Sequence, residues 1–155
     1  MIVDREQLLT PLAGQLAAGA SGAAVYGSTP YDLKATTYGG NPAVGEPLEA
    51  HFMLVGSDVD NATNGVTFEI VADDDGAGTN EVSLVSKTVL LASLDEADGV
   101  QHIGTLLKTA LAATNQYLVV KMTTVTGGTA STTGLIRVWL SKATDVAPNN
   151  AALQL

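Results

Sequence analysis

The 155-residue chain contains no cysteine. That excludes disulfides, thiolate metal centres and a cysteine nucleophile. Charge is also scarce: 15% of residues are Asp, Glu, Lys or Arg, where about 25% is usual. The seven basic residues form no run and are outnumbered by sixteen acidic ones, giving a formal net charge of −9. Such a field repels a phosphate backbone, so nucleic acid is not an expected partner. Aromatics amount to 5% and histidines to two. No apolar run approaches the roughly 20 residues of a membrane-spanning helix. The start, Met1-Ile2-Val3-Asp4-Arg5-Glu6, has neither the basic nor the apolar region of a signal peptide, so the expectation is synthesis and retention in a cytoplasm.

What the chain does have is 46% hydrophobic residues, too many for a disordered acidic tail. The length suits one domain, able to bury roughly 70% of its unfolded surface without a covalent staple. A folded chain with so few charges must cover its surface with Thr, Ser, Asn, Gly and Ala. Such a surface suits dense, permanent packing against a partner.

Two textures divide the sequence. Residues 1–45 read as an N-terminal arm rich in turns. Leu8, Leu9, Leu12 and Leu16 are apolar, but Pro11 and Gly14 interrupt any long helix. The run AGASGAAVYGSTP that follows has little means of forming a core alone and is expected to lie along another surface. Residues 46–155 read as a β-sandwich body. Leu48, Ala50, Phe52 and Leu54 alternate with Glu49, His51, Met53 and Val55, the period of a half-buried strand. Val66, Phe68 and Ile70 alternate with Thr67, Glu69 and Val71 in the same way. Further strands are predicted at 82–91, at 99–108, at 116–126 with Leu118, Val120 and Met122 on one face, and at 134–142. In the last, Ile136, Val138 and Leu140 oppose Leu135, Arg137 and Trp139. A helix over 105–114 is the weaker alternative there, from the spacing of Leu107, Ala110 and Leu111. Turn sequences fall between the runs: Asp73-Asp74-Asp75-Gly76-Ala77-Gly78, Asp98-Gly99 and Gly127-Gly128. Regular strands with such punctuation indicate an all-β sandwich or barrel.

Motifs that carry chemistry are weak. Asp73-Asp74-Asp75-Gly76 superficially resembles a calcium loop, but Glu81 comes too early for the distal bidentate ligand and the flanks read as strands. Asp58, Asp60 and Asn61 form a second oxygen-rich turn, and for both turns solvated turn chemistry is the simpler account. His51 and His102 show no metal-ligand spacing. There is no G-x-S-x-G elbow and no phosphate loop. The reading is therefore non-enzymatic, with no catalytic residue, cofactor or metal. Trp139, Tyr26, Tyr31, Tyr38 and Tyr117 allow a carbohydrate-binding alternative. However, Tyr26, Tyr31 and Tyr38 cluster in the arm, where aromatics suit protein–protein anchoring. Leu8, Leu9, Leu12, Tyr26, Tyr31, Tyr38 and Trp139 are the candidate interface residues.

The order of the pieces resembles a known family. Met1-Ile2-Val3-Asp4 leads through an Ala/Gly/Ser-rich stretch to Tyr31-Asp32-Leu33. Gly45-Glu46-Pro47-Leu48 opens an alternating strand, and Thr67-Phe68-Glu69-Ile70 runs into the acidic loop. Gln116-Tyr117-Leu118-Val119-Val120 leads through Val125-Thr126-Gly127-Gly128 to Gly134-Leu135-Ile136. In this order and spacing the chain resembles the small jelly-roll cement, or decoration, proteins of tailed bacteriophages, as in a Bordetella podophage. The resemblance implies an all-β, jelly-roll-like antiparallel β-sandwich with an extended N-terminal arm. It implies a place on the outer capsid surface of a virion after assembly in the host cytoplasm. The implied partners are a major capsid protein of the HK97-like fold and other copies of the chain itself, as a dimer or trimer on the shell.

Overall fold

The computed structural model describes residues 8–15, 21–33, 48–55, 65–90, 98–106, 116–127 and 135–142. Eight strands occur among them: β1 (Ala24–Tyr26), β2 (Tyr31–Asp32), β3 (Leu48–Val55), β4 (Val66–Asp73), β5 (Val82–Val89), β6 (Gln101–Leu106), β7 (Tyr117–Thr124) and β8 (Leu135–Lys142). All pairings are antiparallel. The fold is all-β, with two sheets in a sandwich-like arrangement. The larger sheet runs β1-β7-β4-β5, with β2 also on β7, and the smaller runs β6-β3-β8.

Period-two patterning built these faces. Leu48, Ala50, Phe52 and Leu54 of β3 are buried, as are Ile136, Val138 and Leu140 of β8. From the other sheet come Val66, Phe68, Ile70 and Ala72 of β4 and Leu118, Val120 and Met122 of β7. One-residue alternation sends each of these sets to a single side of its sheet. The two sets meet in one core, with Phe52 and Phe68 stacked at its centre.

The first third of the chain corrects the expectation that the strand pattern begins only after Pro47. β1 and β2 both pair with β7. Residues 8–15 run along the free edge of β8, bridging Leu8 to Trp139 and Gln15 to Ile136. The Leu9 N–H donates to the Val138 carbonyl at 2.9 Å, and Gln15 and Ile136 exchange two bonds of 2.8 Å. A turn closed by the Gly14 N–H on the Pro11 carbonyl, at 2.8 Å, bulges out between these contacts. The same segment reaches across to the larger sheet. The Gln15 side-chain amide donates to the Tyr26 carbonyl at 2.6 Å and accepts from the Ser28 N–H at 3.2 Å. Gly27, bonded through its N–H to the Val120 carbonyl, lies so close to the Leu9 carbonyl oxygen that a Cβ at this position would collide with it. The segment thus seals the seam between the sheets, and Leu9 enters the common core at 1% exposure.

Counting the edge segment as the first element and β1 with β2 as the second, the order is first–β8–β3–β6 in one sheet and second–β7–β4–β5 in the other. This order is consistent with a two-sheet jelly roll. At the opposite seam the Lys87 ammonium of β5 donates to the His102 carbonyl of β6 at 2.7 Å. Several boundaries differ from expectation, β6 starting at Gln101 and β7 spanning Tyr117–Thr124. β4 continues to Asp73 and β5 stops at Val89. β6 ends at Leu106, and the rest of the 105–114 alternative lies outside the described residues.

Candidate functional site

The described candidate interface residues do not form one surface, although Leu8 bridges to Trp139. Leu8 and Leu9 are buried in the chain's own fold. Tyr31 pairs with Leu118 and packs half-buried against the core. Tyr26 lies on the outer face of the larger sheet, beside Gly78 and under the Lys121 ammonium, 5.9 Å from its ring centroid. Leu12 alone of the six that are described is well exposed, at 59%, on the Pro11–Gly14 turn, where its carbonyl accepts from the Arg137 guanidinium. Tyr38 lies outside the described residues, as do Leu16, Asp58, Asp60 and Asn61. Trp139, a candidate interface aromatic, is 2% exposed but points away from the core.

Trp139 belongs to a row that crosses the outer face of the smaller sheet. His51 is paired with His102 on β6 and with Trp139 on β8, and Trp139 with Leu8 on the edge segment. The His51 and His102 ring centroids are 5.4 Å apart, and the His51 ring stacks on the indole at 5.6 Å and 25°. The row runs from solvent inward: the His102 side chain is 50% exposed, whereas His51 is at 5%. Beside it lies a second row, Thr105, Glu49 and Ser141. Glu49 contacts His102 and accepts from the Thr105 hydroxyl at 2.9 Å. His51 Nε2 lies 3.0 Å from Ser141 Oγ. Burial holds the His51 imidazole down at about 4; His102 adds to the effect and Glu49 opposes it. The Trp139 indole N–H is buried with no hydrogen-bond partner among the described residues. Along the chain each histidine stands alone. Only the β3–β6 register makes them neighbours.

The acidic loop is the second polar cluster. Asp73, at the end of β4, is fully buried. Its carboxylate accepts from the Gly78 N–H at 2.6 Å and the Asn80 N–H at 3.3 Å. Asp75 accepts from the Ala77 N–H at 2.8 Å and the Thr79 hydroxyl at 2.9 Å, and Asp74 from the Asn80 amide at 2.9 Å. These bonds fold the loop back against Tyr26. There Gly78 has φ +82° and its Cα faces the ring so closely that a Cβ would overlap it. Burial by itself would raise the Asp73 carboxyl. The N–H of Gly78, the neighbouring Asp75 and the N–H groups of Asn80 and Asp74 outweigh it and hold the carboxyl below its ordinary value. One oxygen from each of Asp73, Asp74 and Asp75 lies within 4.8 Å of the others. However, each of these carboxylates already accepts from the loop's own donors, so the loop is held shut by its own hydrogen bonds.

Two further rows of the larger sheet's outer face carry hydroxyls. Thr123, Thr67 and Thr88 form one row across β7, β4 and β5, with Thr67 and Thr88 hydroxyls bonded at 2.8 Å. In the next row Lys121 lies 3.8 Å from Glu69 and contacts Glu81, and Glu69 accepts from the Ser83 hydroxyl at 2.9 Å. The Lys121 ammonium is held above its ordinary value by its bond to Glu81, against the opposing effect of burial.

Compared with known proteins, the chain matches no family model, no curated protein and no solved structure.

Proposed function

We propose that the chain is a structural virion protein that binds the outer surface of an expanded phage capsid and cements neighbouring major capsid subunits. The observation that supports this most is the hydroxyl face of β7, β4 and β5. It presents Thr67, Thr88, Ser83 and Ser86 on one side of the sheet, and Lys121 offsets one of the two carboxylate charges of Glu69 and Glu81 beside them. A broad face of short hydroxyl side chains loses little rotamer entropy on being covered, and it desolvates few net charges. The double-sheet body behind it is stiff, which suits a mechanical clip. Binding only the expanded lattice would stabilise that lattice by mass action, and many copies would multiply a modest gain per copy. On this reading the partners are a major capsid protein of the HK97-like fold and further copies of the chain around a symmetry axis, on the virion exterior.

The carbohydrate-binding alternative needs an exposed aromatic platform. Trp139 is buried, and Tyr26 is occupied by Gly78 and Lys121. Co-sedimentation tests the proposal: purified protein is mixed with expanded and with unexpanded empty capsids. It is expected in the pellet with expanded shells only. Equal partition with both shells, or none with either, rejects the cementing role.

A further inference from the structure

We propose that His51 is an acid-operated latch on the outer face of the smaller sheet: when its imidazole takes a proton, Trp139 is released from burial while the core between the sheets stays closed.

The surroundings of His51 carry the argument. Among the described residues, the charged and titratable groups on this face are Glu49 from β3 itself, His102 from β6 and Arg137 from β8. The edge segment contributes Leu8, with no charge. Glu49 is the sole carboxylate of that set, and both its oxygens are engaged, by His102 and by Thr105. Arg137 has the wrong sign and is turned to the Leu12 carbonyl. Ser141 offers His51 a hydroxyl, and Trp139 offers a ring face and an N–H donor. A cation on His51 would therefore lie buried beside a second imidazole 5.4 Å away, with no free counter-charge among the described residues. A buried, uncompensated charge is relieved by moving into water. His102, exposed at the outer end of the row, marks the direction in which solvent is nearest.

The face is separable from the core. His51 and Trp139 point away from the sandwich interior, which Phe52, Phe68, Ile136 and Val138 fill from the inner sides. Opening the outer row removes the indole from its stack without parting the two sheets.

The direction of the pH effect follows from linkage. In the closed state burial keeps His51 neutral down to about 4, against 6.5 for a free histidine. Above pH 6.5 neither state holds the proton and the latch is fully closed. As pH falls below that value, the open state binds a proton that the closed state does not, and the balance moves toward opening. The drift ends once pH passes below about 4, after a shift of roughly 300-fold in the open-to-closed ratio.

Trp139 is the only tryptophan in the chain, so intrinsic fluorescence reads this site alone. The intact protein is titrated from neutral to acid pH while tryptophan emission and far-ultraviolet circular dichroism are both followed. Emission is expected to shift at a higher pH than the sheet signal is lost, and His51→Gln is expected to remove the early emission change only. Simultaneous loss of both signals in the wild type, or an early change that persists in H51Q, overturns the latch. If H51Q does not fold, ring-carbon NMR of the two histidines in the wild type decides. A His51 resonance that titrates together with the emission change supports the latch. One that titrates without it overturns it.

Discussion

Phe52 of β3 and Phe68 of β4 stack across the two sheets with ring centroids 4.4 Å apart and planes 15° from parallel. Both are fully buried. The pair is the point at which the inward faces of the two sheets touch, so it reports on the sandwich as a whole. Phe68→Ala is expected to cost about 3–5 kcal/mol. Urea unfolding followed by circular dichroism measures this, and a loss below about 1 kcal/mol would mean that the sheets do not depend on this contact.

The edge segment belongs to the body. Leu9 lies in the common core, its N–H bonded to β8 and its carbonyl against Gly27. Leu9→Ala should destabilise by about 2–5 kcal/mol. Leu12→Ala, on the exposed turn, should stay within about 0.5 kcal/mol. Deletion of residues 1–20 should therefore damage the fold, because it strips the edge of β8. Parallel thermal melts of the two point variants and the truncation test this; a truncated chain that melts like the full one would show that the seam is dispensable.

The acidic loop should give a pH signature of its own. The Asp73 carboxyl is depressed in the folded state, so its contribution to stability is present above its unfolded value near 3.8 and is lost as pH falls through the lower folded value. Asp73→Asn keeps the size but replaces one carboxylate oxygen with a donor that opposes the N–H of either Gly78 or Asn80, which bond to different oxygens. The expected cost is about 1–3 kcal/mol at neutral pH, shrinking in acid as the wild type loses its own carboxylate. Stability measured at several pH values distinguishes this from a cost independent of pH, which would rule out the carboxylate's charge as the source.

Because the loop's own donors occupy Asp73, Asp74 and Asp75, no cation is needed to close it. EDTA should leave the melting temperature unchanged and millimolar calcium should not raise it. A drop with chelator, reversed by calcium, would make the loop an ion site after all.

Much of the sandwich was legible in the residues because a strand has a strict period of two. Alternation alone grouped Leu48, Ala50, Phe52 and Leu54, then Val66, Phe68 and Ile70, then Ile136, Val138 and Leu140, each on one face, and each of those faces is buried in the core. Asp73 to Gly78 was legible as a turn because aspartate accepts local N–H bonds and glycine tolerates positive φ. The contribution of residues 8–15 and 24–32 to the sheets was not legible. Their pairing stretches are two or three residues long or single bridges, too short to show a period, and their glycines and prolines read as breakers.

Local sequence thus determined the strand class, which residues of a strand share a face and where the chain reverses, since each depends on residues within a few positions. Tertiary structure decided which strands are neighbours and in what register. That placed Leu9 in the core from a segment that looked like an arm. It also turned two separate histidines, 51 positions apart in the chain, into a facing pair beside a buried tryptophan. Period two names a face but not the partner on the next strand; that partner is fixed only when both sheets close on one core.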